Sequence, residues 1–354
     1  MRIKKILTMM TMVAASATAM AQAPLKSGID LTDLDRSARP GDSFYQFACG
    51  GWMAKNPLPA AYSRYGSFDR LAEDNNQRIN AILKELQEKT YAKGTVEQKL
   101  SDYYKLAMDS TRRNREGVKP VLPVLNEMEK TKTVYALQQL QLKLNPFGYG
   151  VPFRIGFGAD EKNASMNILN VMQGGLTLGM KDYYLETDEA TTKIREAYKQ
   201  HIVRMFQLFG FKKGTAEKKM KNIMKVEMAL AKVSKSRTEL RDPIANYNKM
   251  TLAEFNTLYP HFQLERQMNA KGLQTKYFQQ MIVGQPAFME AADKLFAQMS
   301  AAEFRDVMEW GVIDGTTGFL NDAVREANFE FYGKVMSGRK EDHPLWRRST
   351  NQVQ

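Results

Sequence analysis

The stretch DRLAEDNNQRINAILKELQEKTY, residues 69–91, decides the fold class. Its apolar residues Ile79, Ile82, Leu83 and Leu86 fall at i, i+3, i+4 and i+7, the spacing of one face of an amphipathic helix. Leu100, Tyr104, Ala107 and Met108 repeat the pattern. So do Met220, Ile223, Met224, Met228 and Ala231, and near the end Val324, Ala327, Phe331 and Val335. A chain built of such faces must pack helix on helix, so the expected class is all-α.

Two stretches break the period. NPFGYGVPFRIGFG, Asn145 to Gly158, is too rich in Gly and Pro for a helix, and Asn167 to Met172 follows it. A small hairpin is expected near residues 150–172. Pro57 and Pro59 mark an extended turn before the first long helix, and Gly50-Gly51 and Gly174-Gly175 read as backbone turns. No repeat of fixed period and no low-complexity tract occurs, which removes solenoids.

Composition agrees with a large folded body. The 354 residues are 43% hydrophobic and 25% charged, and 12 Pro with 23 Gly are too few for long unstructured tracts, so disorder, collagen and small disulfide scaffolds are excluded. The 22 Met sit mainly at helix-core spacing or in the first segment and read as packing filler.

The first segment reads as an export signal. Met1 to Lys5 is basic, Ile6 to Ala21 is apolar, and Ala19-Met20-Ala21 offers a small-x-small cleavage site. The run is short for a bilayer span and dilutes into Ala, Ser and Thr. Residues 1–21 are thus expected to be a signal peptide, 22–40 a polar lead, and the product periplasmic or extracellular, with no integral membrane segment after cleavage. Cys49 is the only cysteine, which excludes an internal disulfide and a lipoprotein cysteine at the cleavage site; it reads as a buried thiol.

The formal charge of +12 falls to +9 without Arg2, Lys4 and Lys5, and the cations are scattered. Lys212-Lys213 and Lys218-Lys219 read as solvated helix faces, and no nucleic-acid partner is expected. Only three histidines occur: His201, His261 and His343. No H-E-x-x-H pair, G-x-S-x-G elbow or phosphate-binding glycine loop is present, and His201 reads as a surface or boundary residue. The residues by themselves point to an exported, mainly helical protein with no visible catalytic centre.

Gly41-Asp42-Ser43-Phe44-Tyr45-Gln46-Phe47-Ala48-Cys49-Gly50-Gly51-Trp52 resembles the start of the neprilysin and endothelin-converting enzyme family of zinc metallopeptidases, which includes bacterial PepO-type endopeptidases. The resemblance continues through Pro57-Leu58-Pro59, Ser63-Arg64-Tyr65-Gly66-Ser67-Phe68-Asp69, Gly175-Leu176, Asp182-Tyr183-Tyr184-Leu185, and Glu227 with Leu230-Ala231. It extends to Arg241-Asp242-Pro243, Tyr247 to Thr251, Asn328 to Tyr332, Ser337-Gly338 and Pro344 to Arg348. The chain departs from the family at Cys49, which has no disulfide partner, and at Gly179 and Lys181, where Pro and Arg are usual.

The resemblance implies that residues 41–354 are the helical, non-catalytic half of a two-domain metalloendopeptidase. That half shapes a cavity for oligopeptide substrates, and the chain stops before the zinc-binding catalytic domain. Zinc is then the cofactor of the intact enzyme, with none bound and no peptide hydrolysed by this chain alone. The resemblance also assigns Arg64 to the free carboxylate of a short peptide, with Asp69 supporting it. A planar guanidinium grips a carboxylate bidentately. Two alternatives stay open: Arg64 and Asp69 as an ordinary ion pair at a helix start, and the whole chain as an exported binding or scaffold module without proteolytic activity.

Overall fold

The computed structural model describes residues 28–144 and 153–354. The signal segment 1–21 and the Asn145 to Pro152 part of the Gly/Pro-rich stretch lie outside the described residues. The chain divides at Pro59 into two units.

In the first unit a 3-10 turn, Leu31–Asp33, precedes helix α1, Phe44–Lys55. Asp30 accepts a hydrogen bond from the Thr32 N–H and Ser43 one from the Gln46 N–H, so both starts are capped. Gly50-Gly51, expected as a turn, lies inside α1. A Cβ at Gly51 would stand 2.5 Å from the Thr32 carbonyl oxygen, so the pair serves close approach of the 32–35 backbone. Cys49 is a free thiol, half-buried and not in a core as expected.

The second unit starts at Ala60. Its first helices are α2 (Ser67–Gln87), α3 (Val96–Met108), α4 (Ser110–Glu116), α5 (Leu122–Lys130) and α6 (Val134–Leu144). The hairpin β1 (Phe153–Asp160) and β2 (Asn163–Gln173) follows, then α7 (Asp182–Leu185), α8 (Glu189–Leu208) and α9 (Lys213–Val233). Next come β3 (Lys249–Thr251), α10 (Leu252–Leu258), α11 (Leu264–Ala270), β4 (Gln280–Val283), α12 (Pro286–Gln298) and α13 (Ala301–Thr316). Helix α14 (Asp322–Asn328) widens into a π-helical segment, Phe329–Met336, and α15 (Leu345–Val353) ends the chain.

The helical class and the hairpin are both present. The period fixes the buried faces: Leu83, Tyr104, Ala107, Ile223, Met224 and Ala231 are buried, and the Tyr104 hydroxyl donates to Asn80 Oδ1 at 2.6 Å to join α3 to α2. Ile82 points outward because Asn76, Leu83 and Leu86 form the contact stripe. Val324, Ala327 and Phe331 are buried but Val335 is 43% exposed. The π-helical turn takes more residues than an α turn, so Val335 rotates off the face an α period would give it.

The hairpin is half of a larger sheet. β4 pairs parallel to β2 and β3 pairs antiparallel to β4, giving the order β1-β2-β4-β3. Leu169 and Val171 of β2 and Met281 and Val283 of β4 have no exposed surface. Helix α9 runs through the core against α8, α12 and α13.

Candidate functional site

The turn ahead of α2 carries Arg64, and its position is set by three anchors. The Ala60 carbonyl accepts from the Lys340 and Glu341 N–H groups at 3.0 and 3.1 Å. Glu73, on the second turn of α2, accepts from the Tyr62 hydroxyl at 3.1 Å and the Tyr65 hydroxyl at 2.6 Å. The two rings meet edge to face at 5.1 Å, and Tyr62 stands edge-on to His343 at 5.2 Å. Asp69 accepts from the Gly66 N–H at 2.9 Å, where a carboxylate in the first turn also complements the helix dipole.

The electrostatics follow these contacts. The hydrogen bond to Glu73, with burial, pushes the Tyr65 hydroxyl up to about 12. Burial first and Glu73 second raise Tyr62. His343 is held below its usual range by burial and by Arg339 and Arg347. Both tyrosines therefore stay protonated as donors to Glu73 and tie the turn to α2.

Arg64 is exposed between these anchors, and among the described residues it makes no ion pair or hydrogen bond. Asp69 lies on the same turn but is engaged with Gly66, so the ion pair with Arg64 is not formed. Asp69 fixes the backbone that presents the guanidinium and does not grip the guanidinium itself. Sequence reasoning missed Glu73, Tyr62 and Tyr65. The signal was present: Asp69 and Glu73 are one helical turn apart on one face, behind two tyrosines.

Away from this turn lie buried titratable groups. Glu227 accepts from Thr177 Oγ1 at 2.5 Å, the Tyr184 hydroxyl at 2.8 Å and the Tyr198 hydroxyl at 3.1 Å. Trp310 Nε1 donates to Tyr198 at 3.0 Å and the Leu178 N–H to Tyr184 at 3.1 Å. Burial pushes Glu227 up to about 7 against the pull of its three donors.

Lys219, expected on a solvated face, is buried. Its ammonium reaches Glu129, Asp306 and Glu309 at 2.6, 2.9 and 2.6 Å. Burial pushes Glu309 up to about 8, with Lys219 pulling the other way. Lys219 is itself raised above its usual range, since burial, which lowers it, is outweighed by Glu309, Glu129 and Asp306. A cation so buried is kept charged by its carboxylates.

His201, expected at the surface, is also buried. It stacks on Phe331 at 4.9 Å, and burial pushes it down to about 4. These groups are enclosed by packing and read as structure.

The three histidines do not converge. His201 stacks in the core, the His261 ring pairs with Asp293 at 2.8 Å, and His343 stands against Tyr62. Among the described residues no three His, Cys, Asp or Glu side chains form a metal-holding group. Among the described residues, then, no set of donors is assembled that would hold a zinc ion. Among the described residues no helix is long and apolar enough to cross a membrane.

A mainly helical body with one small mixed sheet is shared with solved zinc metalloproteases. The zinc metalloprotease ZMP1 of Mycobacterium tuberculosis, solved with an inhibitor, superposes with a TM-score of 0.86 at 26% identity, covering 92% of this chain and 50% of that one. PepO of Lactobacillus rhamnosis shares the fold at a TM-score of 0.76 and 20% identity, covering 89% and 49%. Residues 40–354 match the profile described as peptidase family M13, and the chain belongs to that family, in its N-terminal portion. Rat endothelin-converting enzyme 1 is 26% identical over 332 residues, 90% of this chain and 42% of that protein. Mouse endothelin-converting enzyme-like 1 is 26% identical over 335 residues, 89% and 42%. The chain thus spans less than half the length of these relatives. The family is generally zinc-dependent.

Proposed function

We propose that residues 41–354 form the substrate-cavity half of an exported M13 metalloendopeptidase acting on oligopeptides, residues 1–21 being its signal peptide and 22–40 a lead. Hydrolysis and zinc binding belong to a part of the enzyme outside this sequence, so this chain alone binds no zinc and cleaves no peptide. Within the cavity, Arg64 takes the free carboxylate of a short peptide, and Asp69 holds the turn that aims it.

The observation that carries this reading is an exposed guanidinium, without a protein partner among the described residues, on a turn held by Glu73 and Asp69. A rigid mount lowers the ordering cost of gripping an anion. A guanidinium meant only for solubility would not need one.

The test is Arg64→Ala in the complete peptidase that carries this half. KM for short peptides with a free C-terminus rises about tenfold to a hundredfold, the loss expected for one charge-assisted bidentate pair, while kcat changes little. Amidated or longer peptides are almost unaffected, and Arg64→Lys recovers part of the loss because it keeps charge without the fork. An equal penalty on free and amidated peptides would remove Arg64 from the substrate site.

A further inference from the structure

The C-terminal ends of β2 and α9 enclose a cavity of about 350 Å³ that lies apart from the Arg64 turn. Its wall carries four cations, Arg154, Lys181, Lys235 and Arg237, and one acid, Asp182. They arrive from separate stretches: Arg154 from β1, Lys181 from the turn before α7, and Lys235 and Arg237 from the segment after α9. Like charges gathered around a concave wall repel one another, and the field they focus attracts an anion.

These cations are weakly partnered within the protein. Arg154 Nε donates to the Gln173 carbonyl at 3.3 Å, and its terminal nitrogens have no partner among the described residues. Lys181 lies 3.7 Å from the carboxylate of Glu239, an acid just outside the cavity that is 56% exposed. The same carboxylate is held below its usual range chiefly by Ser236, with Lys181 and Lys235 adding to it. Among the described residues Lys235 Nζ reaches only a neutral acceptor, Asn246 Oδ1, at 3.3 Å. Arg237 is exposed and makes no ion pair or hydrogen bond among the described residues. Lys219 shows the contrast: where this chain uses a cation structurally, it surrounds it with three carboxylates.

The wall is also fixed in place. The buried Gln173 side chain clamps the Lys235 backbone at two points, its Nε2 donating to the carbonyl at 3.0 Å and its Oε1 accepting from the N–H at 2.8 Å. The segment carrying Lys235 and Arg237 is thereby tied to the strand that pairs with Arg154.

We propose that this cavity binds a small polyanion carrying at least two negative charges as phosphate or carboxylate groups. Two guanidinium forks and two ammonium groups suit oxyanions spread over one ligand, since forks grip paired oxygens and ammoniums act as point charges. The volume is near the lower end for small-molecule sites, which fits a compact ligand.

The test is calorimetric titration of the purified chain with inorganic pyrophosphate and with citrate, at an ionic strength fixed by potassium chloride. Saturable binding at one site is expected for at least one of them. Arg237→Ala weakens it about tenfold, Arg154→Ala/Arg237→Ala weakens it further, and Lys232→Ala, on an exposed position outside the cavity, leaves it unchanged. Arg237 lies outside the helices and strands, so its variant stays folded even if the Arg154 change disturbs β1. Tighter binding of pyrophosphate assigns the site to phosphates and tighter binding of citrate to carboxylates; either supports the proposal. No saturable binding of either probe at millimolar concentration would overturn it, as would equal weakening by Lys232→Ala.

Discussion

Glu227→Gln separates the two forces acting on the buried carboxylate of α9. Burial pushes Glu227 from 4.5 up to about 7, while hydrogen bonds from Thr177, Tyr184 and Tyr198 pull it down. The folded state therefore keeps this proton up to about pH 7, whereas the unfolded chain releases it above about 4.5. Between those values the folded state binds more protons, so this group makes stability fall as pH rises. A gap of about 2.5 pH units at about 1.4 kcal/mol each puts the whole loss at about 3.5 kcal/mol, of which about 2.5 kcal/mol falls between pH 5 and 8.

Gln cannot titrate and lacks that slope. It carries its own cost, because its amide NH2 would face the Tyr184 hydroxyl, which already accepts from the Leu178 N–H. The displaced hydroxyl proton loses its acceptor, but below about pH 7 the neutral carboxyl of the wild type shares that cost, because its own O–H must also donate into the same ring of donors. The two proteins are thus close in stability near pH 5, and the wild type falls behind by about 2.5 kcal/mol by pH 8. Other buried groups titrate in this range. Stability rises with pH through His201, pushed down to about 4, and falls through Asp314 and Glu309, pushed up by burial to about 6 and about 8. All are common to the two proteins and cancel in the difference. Urea unfolding followed by tryptophan fluorescence from pH 5 to 8 measures it. Parallel stability curves would refute the reasoning, since the hydrogen bonds would then outweigh burial.

Other substitutions test other parts of the fold. Lys219→Met removes the near cation of Asp306 and Glu309 and leaves them only Arg305, 3.9 Å from each; it should cost about 3 kcal/mol, much of it recovered in Lys219→Met/Glu309→Leu, as chemical denaturation will show. Gly333→Ala places a Cβ 2.1 Å from Phe329 Cδ2, so the ring must move; a loss of about 1–3 kcal/mol in thermal unfolding is expected, relieved in Gly333→Ala/Phe329→Ala. Asp69→Ala removes the bond to the Gly66 N–H and should lower stability by about 1 kcal/mol, with Asp69→Asn keeping most of it in the same melt.

Helices were legible in the sequence because their apolar stripes repeat within a few turns. Leu83, Tyr104 and Ile223 sit where the period puts them. Features set by distant partners were not legible. Lys219 looks like any lysine of a basic pair until Asp306 and Glu309, 87 and 90 residues away, close around it. β3 and β4 are three and four residues long, too short to show alternation, and exist as strands because β2 offers β4 an edge and β4 in turn offers one to β3. Val335 was misplaced because a π-helical turn changes the period without a sequence signal. At the candidate site, Arg64 and Asp69 were legible through the motif they share with a family, and the turn's other anchors were not.

The pairing of β4 with β2 has a consequence for how the chain reaches its folded state. The Gln173 N–H bonds to the Gln285 side chain 112 residues later, so the sheet closes only after α7 to α11 have been threaded between its strands. Until that closure one edge of the hairpin presents free backbone donors and acceptors and the apolar side chains of Leu169 and Val171. Non-local closure of this kind is slow compared with helix formation, and it gives the growing chain a window in which the β2 edge is open to other strands. A holding chaperone that masks this edge until residue 283 has arrived would speed recovery of the native sheet more than one that shields the helices.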